Sequence, residues 1–203
     1  GAHRVATVDH LLAALAGGGL SHCEIVGQGS EIPLLDGSAL GWVEAIAEAG
    51  LRPAASERPS APQLEQPLVR HRGSSVITAT PSDRFSLVGI IDFPQAAIGR
   101  QQLALELTPQ RFVDEIAPAR TFGFRDQVEQ LRAAGLIQGG ALGSPLGCNA
   151  EHWLNPPLRF ADDPVRHKLL DLIGDLALVG FPQAQVLVYR GSHGLHTDLA
   201  AAL

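Results

Sequence analysis

His167 and Asp171 stand four residues apart in PVRHKLLDLIGDLALVG, in a stretch that is apolar at helical spacing through Leu169, Leu170, Leu172, Ile173, Leu176 and Leu178. Positions i and i+4 of a helix lie one above the other on one face. An imidazole and a carboxylate so placed can hold one divalent cation between them, and an N,O ligand set suits zinc. By itself the pair says little, since a His and an Asp one turn apart are ordinarily a surface pair. Two further segments supply what is missing. ATVDHLLAALAGGG puts Asp9 and His10 at the mouth of a Leu/Ala-rich helical run, and RGSHGLHTDL puts His193 in a glycine-flanked loop. A catalytic zinc site needs three protein ligands, an open position for water and a base beside that water. His10, His167 and Asp171 could supply the ligands, Asp9 the base, and His193 a proton donor or charge stabiliser.

A handful of elements must position these residues. Residues 7–16 are expected to form a helix, with Thr7 as its N-cap and Gly17, Gly18 and Gly19 ending it. HCEIVG at 22–27 has the composition of a strand. In GSEIPLLDGSA, Asp36, Gly37 and Ser38 are turn formers rather than catalysts, and an amphipathic helix from Trp42 to Ala49 is stopped by Gly50. Four prolines with Ser, Glu and Gln between Pro53 and Pro67 mark an interdomain linker. The expected division is therefore 1–56, a linker at 57–66, and a second domain at 67–203. That second part opens with strands at 76–80, 86–91 and 102–107, the last placing Leu103, Leu105 and Leu107 on one face. Thr108-Pro109 opens a helix to about Ile116, and Phe124 to Ala134 reads as another. A turn rich in glycine (Gly135, Gly139, Gly140, Gly143) then precedes the helix at 165–179 and a strand at 185–189. Strands and helices without regular βαβ alternation favour an α+β fold over a doubly wound sheet. A modest internal echo, His10-LLAALA-Gly17 against His167-KLLDLI-Gly174, suggests duplication.

The blocks TVDHLLAALAG, EIPLLDGSA, ARTFGF, GLIQGG, LRFADDPVRHKLLDLIGDL and GSHGLHTDL follow one another from about residue 5 to the C-terminus. Together they closely resemble the zinc-dependent UDP-3-O-acyl-N-acetylglucosamine deacetylases of lipid A synthesis. The resemblance implies two similar domains, each layering a β-sheet against helices, with the active site between them. It implies hydrolysis of the N-acetyl group of UDP-3-O-acyl-N-acetylglucosamine, releasing acetate. Zinc is the implied metal and Fe2+ a rival, because a His₂Asp set discriminates poorly among divalent ions. The family's pattern makes His10, His167 and Asp171 the ligands. It also pairs Asp175 with His193, which would keep the imidazole charged for an oxyanion or a leaving amine. Lys168, which points about 100° away from the ligand His on a helix, falls on a position that contacts nucleotide phosphate. Thr121 becomes an oxyanion donor, and Phe122 and Phe124 a sugar-contacting wall, although a core role suits either Phe nearly as well. Two departures stand out. The family's base is normally a glutamate, and Asp9 is shorter by a methylene, which retracts the carboxylate by about 1–1.5 Å. A base must come within roughly 2.6–3.2 Å of the water it activates, so reduced turnover is expected. After GLIQGG, ALGSPLGCN replaces a polar turn and hydrophobic strand.

Composition narrows the alternatives. With 15 Lys and Arg against 21 Asp and Glu in 203 residues, and no basic run, the chain is not a general nucleic-acid binder. Lys168 is the only lysine. No apolar stretch approaches the roughly eighteen residues of a membrane span, and no secretory signal is visible. Cys23 and Cys148 are too few and too distant for a disulfide framework, so a cytoplasmic location is expected. His3, His71, His152 and His196 match no ligand position and are read as surface residues or support behind the site, and His22 with Cys23 as structural. The glycines at 139–143 make no Walker or dinucleotide loop. The chain contains no methionine, so Gly1 is not an unprocessed start, and the first domain reads as lacking its N-terminal part. Two functions follow: a metal-dependent amide hydrolase acting on an acylated nucleotide sugar, or a metal-binding remnant with weakened or lost turnover.

Overall fold

The computed structural model describes residues 4–54, 56, 60–124, 146–155 and 157–203. Sheet formation follows the period-2 burial pattern of strands covered on one face. Ile77 and Ala79, Leu87 and Ile91, and Val186 and Val188 all turn inward. They lie on β2 (Ser75–Pro81), β3 (Ser86–Asp92) and β7 (Ala184–Tyr189) respectively. With β1 (Leu68–Arg72) and β4 (Arg100–Glu106) these make a five-stranded sheet of order β1-β2-β7-β3-β4. All neighbours are antiparallel except β3 and β7. β5 (Phe122–Phe124) and β6 (Leu146–Cys148) form a separate parallel pair.

The helices are α1 (Asp9–Gly17), α2 (Leu40–Ala49), the short α3 (Pro109–Arg111) continuing as a π-helical turn at Phe112–Ile116, α4 (Asp163–Leu176) and α5 (His193–Ala200). Thr108 caps α3 by accepting the Arg111 N–H, as its position before Pro109 suggests. α4 is the hub: Val165, Leu169, Leu170, Leu172, Ile173 and Leu176 are all fully buried. Two glycines let it be approached closely from different sides. At Gly89 on β3, a Cβ would stand 2.8 Å from Leu169 Cδ2, so the sheet meets α4 without an intervening side chain. At Gly174 on α4, a Cβ would collide with the backbone of Asp9, so the start of α1 rests directly on α4.

The α+β class is as expected, and the strands at 76–80, 86–91, 102–107 and 185–189 are present within a residue or two of their bounds. Several details differ. Residues 21–28 form no strand and are exposed, because no neighbouring strand among the described residues offers pairing. Thr7 is not the N-cap of α1: Val8 holds that position, and Thr7, at φ 57°, donates its hydroxyl to Glu31 instead. α4 ends at Leu176 rather than at 179, where the core ends and Leu178 is 59% exposed. β1, β5 and β6 carry no alternation long enough to be legible. Phe124 belongs to β5, while the rest of the helix expected at 124–134 and the following glycine turn lie outside the described residues.

Candidate active site

α1 begins at Asp9, so its first turn carries both Asp9 and His10, and the contact at Gly174 sets that turn on α4. α4 presents His167 and Asp171 one turn apart on the same face. The three side chains are almost wholly buried: His10 is 3% exposed, His167 2% and Asp171 3%. One nitrogen from each imidazole and one oxygen of Asp171 lie within 4.8 Å of one another. His167 Nε2 is 3.2 Å from Asp171 Oδ1, and His10 Nε2 is 4.0 Å from the same oxygen.

Protonation favours a cation at this point. His167 Nδ1 lies 3.1 Å from the Ala119 carbonyl, which can only accept, so Nδ1 donates there and Nε2 is the nitrogen turned to the cluster. Burial and the neighbouring His167 lower the His10 pKa to about 4, against the raising pull of Asp9 and Asp171. Burial pushes the Asp171 carboxyl up, but Lys168 and His167 prevail and hold it well below the usual carboxylate range. Two imidazoles and a carboxylate converging at a buried point are a donor set that could hold a divalent cation.

Around the cluster stand further titratable groups. Asp9 Oδ2 is 3.4 Å from His10 Nε2, and ligand atoms of Asp9, Asp171 and His193 fall within 4.8 Å of one another. His193 is the first residue of α5 rather than a loop residue, since Ser192 caps the helix by accepting the Leu195 N–H. Its Nδ1 donates to Asp175 Oδ2 at 2.8 Å, the pairing that the resemblance implied. That hydrogen bond raises the His193 pKa to about 9, against desolvation and with help from Asp171 and Asp9. Lys168 does not point away from the ligands. Its ammonium bends back to Asp171 Oδ2 at 2.8 Å, and the residue also lines the cavity described next.

That cavity, of about 620 Å³, is lined by Ile91, Asp92, Phe93, Lys168, Arg190 and Gly191 among others. Phe122 joins Phe93 edge to face at 5.6 Å and Trp153 at 6.4 Å, and Lys168 Nζ sits 5.6 Å over the Phe122 ring. Phe124 lies 6.2 Å from Phe93 in the same aromatic group. Thr121 is fixed by its backbone: its N–H donates to the Gly37 carbonyl and its own carbonyl accepts from Leu146. The Asp36-Gly37-Ser38 turn thus props the 117–121 segment whose Ala119 carbonyl orients His167, and Arg159 ties Asp36, Ser38 and the Pro118 carbonyl together.

Among the histidines outside the ligand set, His71 and His152 are on the surface, and His22 and Cys23 are exposed rather than structural. His3 lies outside the described residues. His196 is fully buried behind Asp175. Sequence reasoning did not single out Phe93, Trp153 or Arg190. They come from separate segments, and no local spacing links them.

A family model described as LpxC, UDP-3-O-acyl N-acetylglycosamine deacetylase, matches residues 1–203. The UDP-3-O-acyl-N-acetylglucosamine deacetylase of Thermosynechococcus vestitus is 52% identical over 200 residues, covering 98% of this chain and 69% of that protein. Its counterpart in Synechocystis is 49% identical over 200 residues, with 97% and 72% covered. An Arabidopsis thaliana protein named probable UDP-3-O-acyl-N-acetylglucosamine deacetylase 1, mitochondrial, is 39% identical over 221 residues, with 98% and 68% covered.

Proposed function

The chain belongs to the UDP-3-O-acyl-N-acetylglucosamine deacetylase family of hydrolases, and we propose that it hydrolyses the N-acetyl group of UDP-3-O-acyl-N-acetylglucosamine on a divalent metal held by His10, His167 and Asp171. One observation carries the reading: a ligand atom each of His10, His167 and Asp171 lie within 4.8 Å of one another in a buried site, with His167 Nδ1 held by the Ala119 carbonyl and Asp171 Oδ2 by Lys168. Zinc suits this N₂O set, with Fe2+ the competitor that metal analysis separates from it. The bound cation supplies Lewis acidity to the acetamide carbonyl and makes water a nucleophile at neutral pH.

The protein's residues supply the rest. Asp9, beside His10, takes the proton of the attacking water, and Thr121 donates a hydrogen bond to the carbonyl oxygen as charge builds on it. His193, kept protonated by Asp175, gives its proton to the departing nitrogen as the C–N bond breaks, so acetate and a free amine leave. Lys168 and Phe93 line the cavity, with Phe122 and Phe124 packed against Phe93, and a cation beside ring faces suits a nucleotide diphosphate and a sugar. Residues 1–56 and 67–203 are proposed as separate domains joined at 57–66, with α1 and α4 bridging them. No helix among the described residues is long and apolar enough to cross a membrane. Both cysteines are free, in keeping with a cytoplasmic location.

The test is acetate release from UDP-3-O-acyl-N-acetylglucosamine by the purified, zinc-loaded protein. Release that stops on chelation and returns with zinc supports the proposal. Equal rates with and without metal refute it, and a fully loaded but inactive protein establishes the remnant reading.

A further inference from the structure

His196 is one turn beyond His193 on α5, on nearly the same face, yet the two are differently placed. The His193 side chain is 57% exposed and faces the cluster, whereas that of His196 is 1% exposed. Both bring Nδ1 to the same atom, Asp175 Oδ2, at 2.8 Å. Burial pushes the Asp175 carboxyl up, but the hydrogen bonds from both rings outweigh it and keep it ionised. An ionised carboxylate only accepts, so His196 must carry its proton on Nδ1.

The other ring nitrogen tells the rest. His196 Nε2 is buried and has no partner among the described residues. It is boxed against Gly191, where a Cβ would stand 2.6 Å from Nε2 and 2.9 Å from Val188 Cγ2. A buried polar atom left without a hydrogen bond is costly, and a leucine would fill this space without that cost. What the imidazole provides and a hydrocarbon cannot is the Nδ1 donor.

We propose that His196 is a positioning residue for the deacetylation: its Nδ1–H fixes the Asp175 carboxylate, and through it the orientation of His193. The inference rests on the proposed role of His193 as proton donor. One hydrogen bond leaves a carboxylate free to swing with its partner. A second donor, held in the core, pins the shared oxygen, so the exposed His193 docks against a fixed acceptor.

Two measurements test it. In the metal-loaded protein, histidine-selective nitrogen–proton NMR should find His196 protonated on Nδ1 and not on Nε2. An Nε2–H tautomer overturns the proposal, even in a protein that does not turn over. In steady-state kinetics, His196→Leu should lower kcat about tenfold or more, with KM and metal content unchanged. His196→Asn, whose amide can donate to the same oxygen, should recover most of that loss. In a His193→Ala background, His196→Leu should cost nothing further, because the group it orients is gone. Parental kcat in His196→Leu, an Asn variant as slow as the Leu variant, or an undiminished loss without His193 each refutes the positioning role. If His193→Ala alone keeps full turnover, the proton-donor reading fails and takes this inference with it. A slow His193→Ala beside an unimpaired His196→Leu overturns this inference alone.

Discussion

Asp9 stands where the resemblance leads one to expect a glutamate, and its shorter carboxylate reaches within 3.4 Å of His10 Nε2. If it is the base, Asp9→Ala should leave metal content intact and lower kcat by about 10²–10⁴-fold, the range general-base catalysis supplies. Asp9→Glu should raise kcat above the parent if the shorter reach limits the rate. An Asp9→Ala protein with parental turnover would exclude Asp9 as the base. His167→Ala differs in kind, since it should lose metal and turnover together. His193 gives a pH signature. Its pKa is raised to about 9, so the protonated donor is present below that value and lost as pH rises through it. The stability gained from its pairing has the same sign, complete below about 6.5 and lost as pH passes through the raised value. Asp175→Asn removes the leading cause of the shift, so the alkaline limb of the kcat profile should move to lower pH. A limb that stays in place would assign it to another group.

Gly174 decides how α1 and α4 meet. In an exposed helix interior, Gly→Ala is worth roughly 1 kcal/mol in favour of alanine. Here the added methyl meets the Asp9 backbone, which cannot rotate away as a side chain could, and overpacking of this kind costs about 1–3 kcal/mol. The second effect should win, so Gly174→Ala should lower the melting temperature and weaken metal binding by drawing His10 off the α4 ligands. Unchanged melting and metal affinity would show that this contact does not set the site. The same close approach explains what the sequence could reveal. α4 was legible because its apolar residues repeat at helical spacing with His167 and Asp171 on one face, and the alternating strands likewise. The helix beginning at His193 was not, because Gly191 precedes it, Gly194 lies in its first turn, and its cap, Ser192, looks like a loop residue until the Leu195 N–H is seen to bind it. The strand expected at 22–27 failed for a long-range reason, since a strand needs a neighbour and none of the described residues provides one.

Across the whole molecule the site is assembled from segments far apart in the chain. α1 brings Asp9 and His10, the 117–121 segment brings the carbonyl that orients His167, α4 brings His167, Lys168, Asp171 and Asp175, and α5 brings His193 and His196. The candidate ligand residues could be read from the sequence, but the Ala119 carbonyl, the shared Asp175 oxygen and the aromatic group with Phe93 and Trp153 arise only from packing. Convergence of α1 and α4 on one cation is the central claim, and anomalous diffraction from crystals of the zinc-loaded protein tests it most directly. A single strong peak is expected about 2.0–2.2 Å from His10 Nε2, His167 Nε2 and an Asp171 oxygen. No peak there, or a metal bound by α4 without His10, would contradict it.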